Sequence, residues 1–314
     1  MKRMIYMLSI VTLLSSCSND DSPDSQTAVQ EKPVAPLTGL TAMLAEADDD
    51  VQTRATYGNS WTGGENVALS MKTPVGTTYT TKNYTVTAAG VLSPKSNAAA
   101  NTNYWVSYSG AHSVKAWYFG DGTYYSSPAK SWSVAASQTA ATLQSNDFIY
   151  APATSIKYSD ATKALKFYHQ LAKVTVRLEP TGDAVNSPIS GVKLGSNNVT
   201  LTGTFAEPSS GNYGSWTPGT TAASTIQMVQ TATGTDYTEF TALLIPQTIV
   251  AGKVLFTVTN SYGTLTYSAG LDIKSSGAGK NYKYTFKYSL YDLVLTSSSI
   301  TNWGLVTSNK TFEY

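Results

Sequence analysis

One cysteine, Cys17, closes the tetrapeptide Leu14-Ser15-Ser16-Cys17, and the chemistry this arrangement suits is acylation of a thiol at a lipobox. Lys2 and Arg3 precede an apolar run from Met4 to Leu14 that is too short to span a bilayer as a permanent helix, so residues 1–17 read as a lipoprotein signal peptide. Lipid on Cys17 would consume the chain's single thiol, and no disulfide framework can form. A second reactive position lies in the polar junction Asp48-Asp49-Asp50-Val51-Gln52-Thr53-Arg54-Ala55-Thr56. Of three arginines, Arg3 leaves with the signal and Arg177 sits inside an apolar alternating run. Arg54 is therefore the one an arginine-specific protease could readily reach, cutting before Ala55. On composition alone an ordinary linker arginine is the simpler reading.

Other residue types carry little chemistry. His112 and His169 are the two histidines, far apart in sequence, and no metal cluster of usual spacing or GxSxG elbow is present. His112 reads as an exposed loop residue, and His169, just before an apolar strand, as a hydrogen-bonded structural one. A carboxylate pair for glycoside chemistry depends on a separation that the fold sets, and nothing marks one. The six tryptophans, Trp117, Trp132 and Trp216 among them, are scattered as core or turn anchors are rather than gathered as a carbohydrate platform. No catalytic residue, metal ligand or cofactor is assigned, and a surface glycan hydrolase ranks last among the functions considered.

The elements that must position these residues are strands. Charged residues make up only 13 % of the chain while Thr, Ser, Tyr and Val abound, which favours half-buried pleated surface and an all-β fold. From Ala55 onward 17 Lys and Arg face 12 Asp and Glu, but the lysines stand singly among strands. They read as solvated faces and edge protection, not as a nucleic-acid footprint.

Residues 18–54 form a polar tether with Pro23, Pro33 and Pro36 and one apolar stretch, Leu37 to Leu44. Within it Leu40, Ala42 and Leu44 alternate with Thr41 and Met43, which fits a short strand or, nearly as well, a helical turn. Beyond Thr56, short alternating runs separated by turn residues give a sandwich signature. Strands are expected at Val67–Met71, Tyr79–Val86, Tyr104–Tyr108, Val114–Phe119 and Phe148–Ala151, with a Ser/Ala-rich connection from Ser126 to Gln144. A long strand is expected at Leu165–Leu178, with Val174, Val176 and Leu178 on one face. Dense turn chemistry from Pro180 to Pro188 divides a domain at 55–182 from one at 183–314. The second half restarts the rhythm and ends in a long run from Tyr282 to Leu295 in which Tyr282, Tyr284, Phe286 and Tyr288 alternate with polar residues.

Taken in order, several segments resemble the fimbrillin-like lipoproteins that build type V pili. They are the lipobox at Leu14–Cys17, Thr53-Arg54-Ala55-Thr56, WTGGENVAL from Trp61 to Leu69, FYHQLAKVTVRLEP from Phe167 to Pro180, ALLIPQTI at Ala242–Ile249, GKNYKYTFKYSL from Gly279 to Leu290, and Ile300-Thr301-Asn302-Trp303. The resemblance implies two transthyretin-like β-sandwich domains in tandem and lipoprotein export to the outer membrane, with Cys17 lipidated. It also implies proteolytic removal of the N-terminal segment after Arg54, then assembly with other pilin subunits by strand exchange into a pilus on the cell surface. Under it Leu37–Leu44 is the strand removed, and Tyr291–Tyr314, with Leu293, Leu295 and Phe312, is the strand donated. A tip adhesin of the same family, which receives a strand and donates none, is the alternative. An anchor subunit is expected to keep its N-terminal segment, and the intact Thr53-Arg54-Ala55 junction leans against that role.

Overall fold

A computed structural model describes residues 34–45, 61–220, 224–268 and 277–303; Cys17, Arg54, Ala55 and Phe312 lie outside them. The all-β expectation holds. The first half contributes β1 (Ala35–Pro36), β2 (Leu40–Leu44), β3 (Asn66–Lys72), β4 (Thr80–Val86), β5 (Val91–Pro94), β6 (Tyr104–Trp105), β7 (His112–Phe119), β8 (Ser131–Ser133), a short helix α1 (Ala140–Asn146), β9 (Phe148–Ile156) and β10 (Ala164–His169). Seven of these strands close into a ring in the order β10-β2-β5-β4-β3-β7-β9. Closure rests on β2, which pairs parallel with β10 and antiparallel with β5. A closed ring has no free edge, so β2 is the piece whose loss would create two.

The second half contributes β11 (Ala172–Pro180), β12 (Ile189–Val199), β13 (Thr202–Ala206), β14 (Ser215–Pro218), β15 (Ser224–Gln227), β16 (Val229–Thr233), β17 (Thr238–Leu244), β18 (Val254–Asn260), β19 (Gly263–Ser268), β20 (Lys280–Tyr288) and β21 (Leu293–Asn302). A five-stranded sheet, β16-β17-β11-β20-β21, and a four-stranded sheet, β15-β12-β18-β19, bury Val174, Val176, Leu194, Phe256, Tyr284 and Phe286 in one core. A third, small sheet, β14-β13-β8, takes its last strand from the first half. The two halves also share apolar packing: Phe119 stacks on Phe148 at 4.4 Å, and Phe148 meets Phe205 edge-on at 4.7 Å.

Three element expectations change. The strand expected at Leu165–Leu178 is two strands in different sheets, β10 in the ring and β11 in the five-stranded sheet. Gln170 makes the break: its carbonyl accepts the Trp216 indole N–H at 2.7 Å, and its side chain donates to Asn212 O and accepts from Gly214 N–H. Its N–H makes the last bond to β9, to Phe148 O at 2.8 Å, while its carbonyl, taken by an indole, has left the ladder. The run Tyr282–Leu295 likewise folds back at Ser289–Asp292 into β20 and β21, although Tyr282, Tyr284, Phe286 and Tyr288 do share a buried face. Finally, the connection Ser126–Gln144 contains β8 and the start of α1, whose N-cap Thr139 forms a capping box with Thr142.

Candidate functional site

Residues 34–45 are bound into the first half along their whole length. Their backbone N–H groups donate to carbonyls of three different segments: Val34 to Trp105 (2.6 Å), Leu37 to Asn103 (2.8 Å), Thr41 to Lys163 (2.8 Å), Ala42 to Gly90 (2.7 Å) and Ala45 to Phe167 (2.7 Å). Leu37 and Leu40 are both 0 % exposed and complete a core of Val67, Leu69, Tyr84, Leu92, Trp105, Leu165 and Phe167. Residues three apart fall on opposite faces of a regular strand. Gly39, at φ +72°, resets the phase so that both leucines point inward. Thus the weakly patterned Leu37–Leu44 stretch is a strand from Leu40 on, preceded by a glycine kink.

Side chains of the surrounding wall take up what the neighbouring strands leave. The pairing with β5 ends in the Ala42 N–H bond to the carbonyl of the left-handed Gly90 (φ +81°), and the Ala42 carbonyl accepts the Trp61 indole N–H at 2.9 Å. A Cβ at Gly90 would sit 2.6 Å from that carbonyl, so only glycine permits the approach. Trp61 is itself held edge-on between Tyr118 (5.8 Å) and Phe167 (5.3 Å). The turn after it is fixed by Glu65, whose carboxylate accepts from the Thr62 and Gly63 N–H groups at 2.7 and 2.9 Å. Five residues upstream of Ala42, the Leu37 carbonyl accepts the Tyr84 hydroxyl at 3.1 Å while that oxygen accepts the Asn103 N–H at 3.1 Å. Burial pushes the Tyr84 hydroxyl up to about 12, which keeps it protonated and donating. This arrangement makes and breaks no covalent bond; it is a seat for one extended segment, apolar beneath and hydrogen-bonded on both sides.

Of the sequence-predicted site residues, Cys17, Arg54, Ala55 and Phe312 fall outside the described residues. Leu293 and Leu295 lie in β21 opposite Tyr288 and Phe286, half-buried against the second core. They are not near the seat by any pairing of their strand. His112 corrects its expectation: it is fully buried in β7, where Nε2 accepts from Val106 N–H at 3.2 Å and Nδ1 donates to Gly110 O at 3.1 Å. His169 is structural as expected, with Nδ1 3.0 Å from the Asp147 carboxylate and its ring stacked on Trp303 at 3.9 Å. All six tryptophans are buried, which removes the carbohydrate platform. Among the described residues no three His, Cys, Asp or Glu side chains gather as metal ligands. Sequence reasoning missed Trp61, Tyr84 and Gly90 as parts of the seat. A tryptophan followed by two glycines and a carboxylate was a signal for a built turn, but nothing in the sequence shows what that turn holds.

A family model described as fimbrillin-like matches residues 53–303. No curated protein matches the chain. Among solved structures, a candidate cell adhesion protein from Bacteroides ovatus superposes with TM-score 0.61 at 19 % identity, covering 88 % of this chain and 99 % of its own. One from Bacteroides uniformis superposes with TM-score 0.59 at 19 % identity, covering 85 % and 97 %. At this identity the two structures establish the shared fold, and the family match carries the rest. The chain belongs to the fimbrillin-like family, and is a pilus-related structural protein of the cell surface rather than an enzyme.

Proposed function

We propose that the chain is a structural subunit of a type V-like pilus, exported as an outer-membrane lipoprotein on Cys17 and assembled by strand exchange once its N-terminal segment is cut away after Arg54. The observation that carries this reading is the position of β2. It closes the ring with Leu40 buried, and Leu37 buried just before it, yet it is joined to the first half only through the linker 46–60, which contains Arg54. One cut there leaves β2 held by noncovalent contacts alone. Its departure would expose an apolar groove flanked by unpaired strand edges on β5 and β10, a surface that a strand from a second subunit completes.

The donor is drawn from Tyr291–Tyr314. Leu293 and Leu295 are engaged with β20 in their own sheet, so the portion proposed to donate is 304–314, with Phe312. That same engagement favours a second reading, a tip adhesin that accepts a strand and donates none. The tandem arrangement of two domains is part of the proposal, and the sheet memberships of β10 and β11 favour a division at Gln170–Leu171 in place of the one expected between residues 182 and 183.

Limited digestion of the unlipidated precursor with an arginine-specific protease, followed by intact mass and size-exclusion chromatography, tests it. A single cut after Arg54 with slow growth of ladders is expected, and Arg54→Ala should stay monomeric. Normal polymers from that variant would overturn the reading. Deleting 304–314 separates stalk from tip: a stalk subunit stops extending the polymer, whereas a tip subunit still caps it.

A further inference from the structure

We infer that Trp61 is the residue that sets the register of the exchanged strand, with its indole N–H reserved for one backbone carbonyl of a second copy's segment 304–314. This rests on the strand-exchange reading above. Trp61 lies seven residues beyond Arg54, so it stays with the processed subunit while its partner, the Ala42 carbonyl, departs with β2. The ring is 5 % exposed and fixed by its contacts with Tyr118 and Phe167, so it cannot swing out to solvent without dismantling the core. A buried N–H that loses its acceptor is costly, and an incoming strand removes that cost only where it presents a carbonyl at the place Ala42 occupied.

Side-chain size makes the choice sharper. A slip by one residue turns the inward side chains to the outside. A slip by two keeps the facing but brings a large side chain to the position of Ala42, a buried residue only 5 % exposed. The seat therefore accepts a leucine, then a small side chain two residues later, in one register. Gly304-Leu305-Val306-Thr307 repeats the order of Gly39-Leu40-Thr41-Ala42, a glycine and a leucine followed by a small side chain two residues on. This assigns Leu305 to the place of Leu40 and the Thr307 carbonyl to Trp61; residues 304–310 then occupy the seat, and Phe312 falls two residues beyond the place of Ala45.

The test uses the full unlipidated chain, nicked after Arg54, with displacement of its own N-terminal fragment by synthetic peptides 34–45 and 304–314. Each peptide is also made with an ester in place of the amide after Ala42 or after Thr307, which weakens that carbonyl as an acceptor. The ester also removes the N–H of the following residue, a ladder donor toward β10, on both proteins, so its penalty on the wild-type protein should exceed that on Trp61→Phe by about three- to tenfold. Equal ester penalties on both proteins overturn the register role while leaving strand exchange standing. In the wild-type protein the Trp61 Nε1–H resonance should move with the ester after Ala42 and stay with an ester after Leu40; the reverse overturns the role even if Trp61→Phe does not fold. Thr307→Leu in the peptide should weaken it about tenfold or more. Binding of 34–45 without binding of 304–314 overturns the donor assignment. Failure of both peptides to enter an emptied seat overturns strand exchange, and the register role with it.

Discussion

Single side chains carry unusual weight where the chain leaves a sheet. Gln170 is completely buried between two strands that belong to different sheets, and its amide satisfies Asn212 O and Gly214 N–H at once. Gln170→Ala leaves both groups without these bonds and should lower stability by about 2 kcal/mol or more, read as a shift in the urea midpoint with an unchanged slope. Tyr84 makes the same point through protonation. Its folded value, raised by burial to about 12, lies above the ordinary 10.0, so the neutral hydroxyl is favoured by folding. That contribution is fully present below pH 10 and is lost as pH rises from 10 through about 12. Dissociation of the nicked N-terminal fragment should accelerate over that interval, and Tyr84→Phe should remove the Tyr84 part of the acceleration.

Among the elements, β2 does most to decide behaviour and was hardest to read. Ala42 within it and Gly39 just before it give it poor intrinsic strand preference, and its hold comes from Leu40, with Leu37 upstream, filling the ring. Leu40→Ala should cost about 2–5 kcal/mol through the lost apolar contact and the cavity left behind. Hydrogen exchange should then speed up in β5 and β10, the two partners of β2, more than in β3 or β7. Uniform loss of protection across the ring would show that β2 is no separable element. The alternation of Leu40, Ala42 and Leu44 was visible in the sequence, whereas the inward aim of Leu37 depended on the left-handed Gly39. The parallel partner β10, more than a hundred residues away, left no local trace.

At the scale of the whole molecule, the two halves are joined by packing rather than by a bare linker. Phe205 touches Phe148 and Trp216 from within a core that also holds Trp117 and Phe119, and Glu207 receives Lys115 at 2.5 Å and the Tyr150 hydroxyl at 2.6 Å. Wild-type protein should therefore unfold in one transition. Phe205→Ala, at a cost of about 3–5 kcal/mol, should split calorimetric unfolding into two, and a retained single transition would show that coupling lies elsewhere.

What the sequence determined by itself was local in origin. Low charge and abundant Thr, Tyr and Val dictated strands, and the alternation at Val174–Leu178 and Tyr282–Tyr288 dictated which faces are buried. The Leu14–Cys17 and Thr53–Thr56 segments marked the positions proposed for lipid and protease. Tertiary structure alone decided that β10 and β11 part at Gln170, that β2 closes a ring, that His112 is buried, and that Trp61 meets the carbonyl of Ala42. The parting at Gln170, the closure by β2 and the Trp61 contact each depend on backbone groups finding partners well outside their own segment. A hydrogen bond to a carbonyl places no demand on that residue's side chain, so the sequence keeps no record of it.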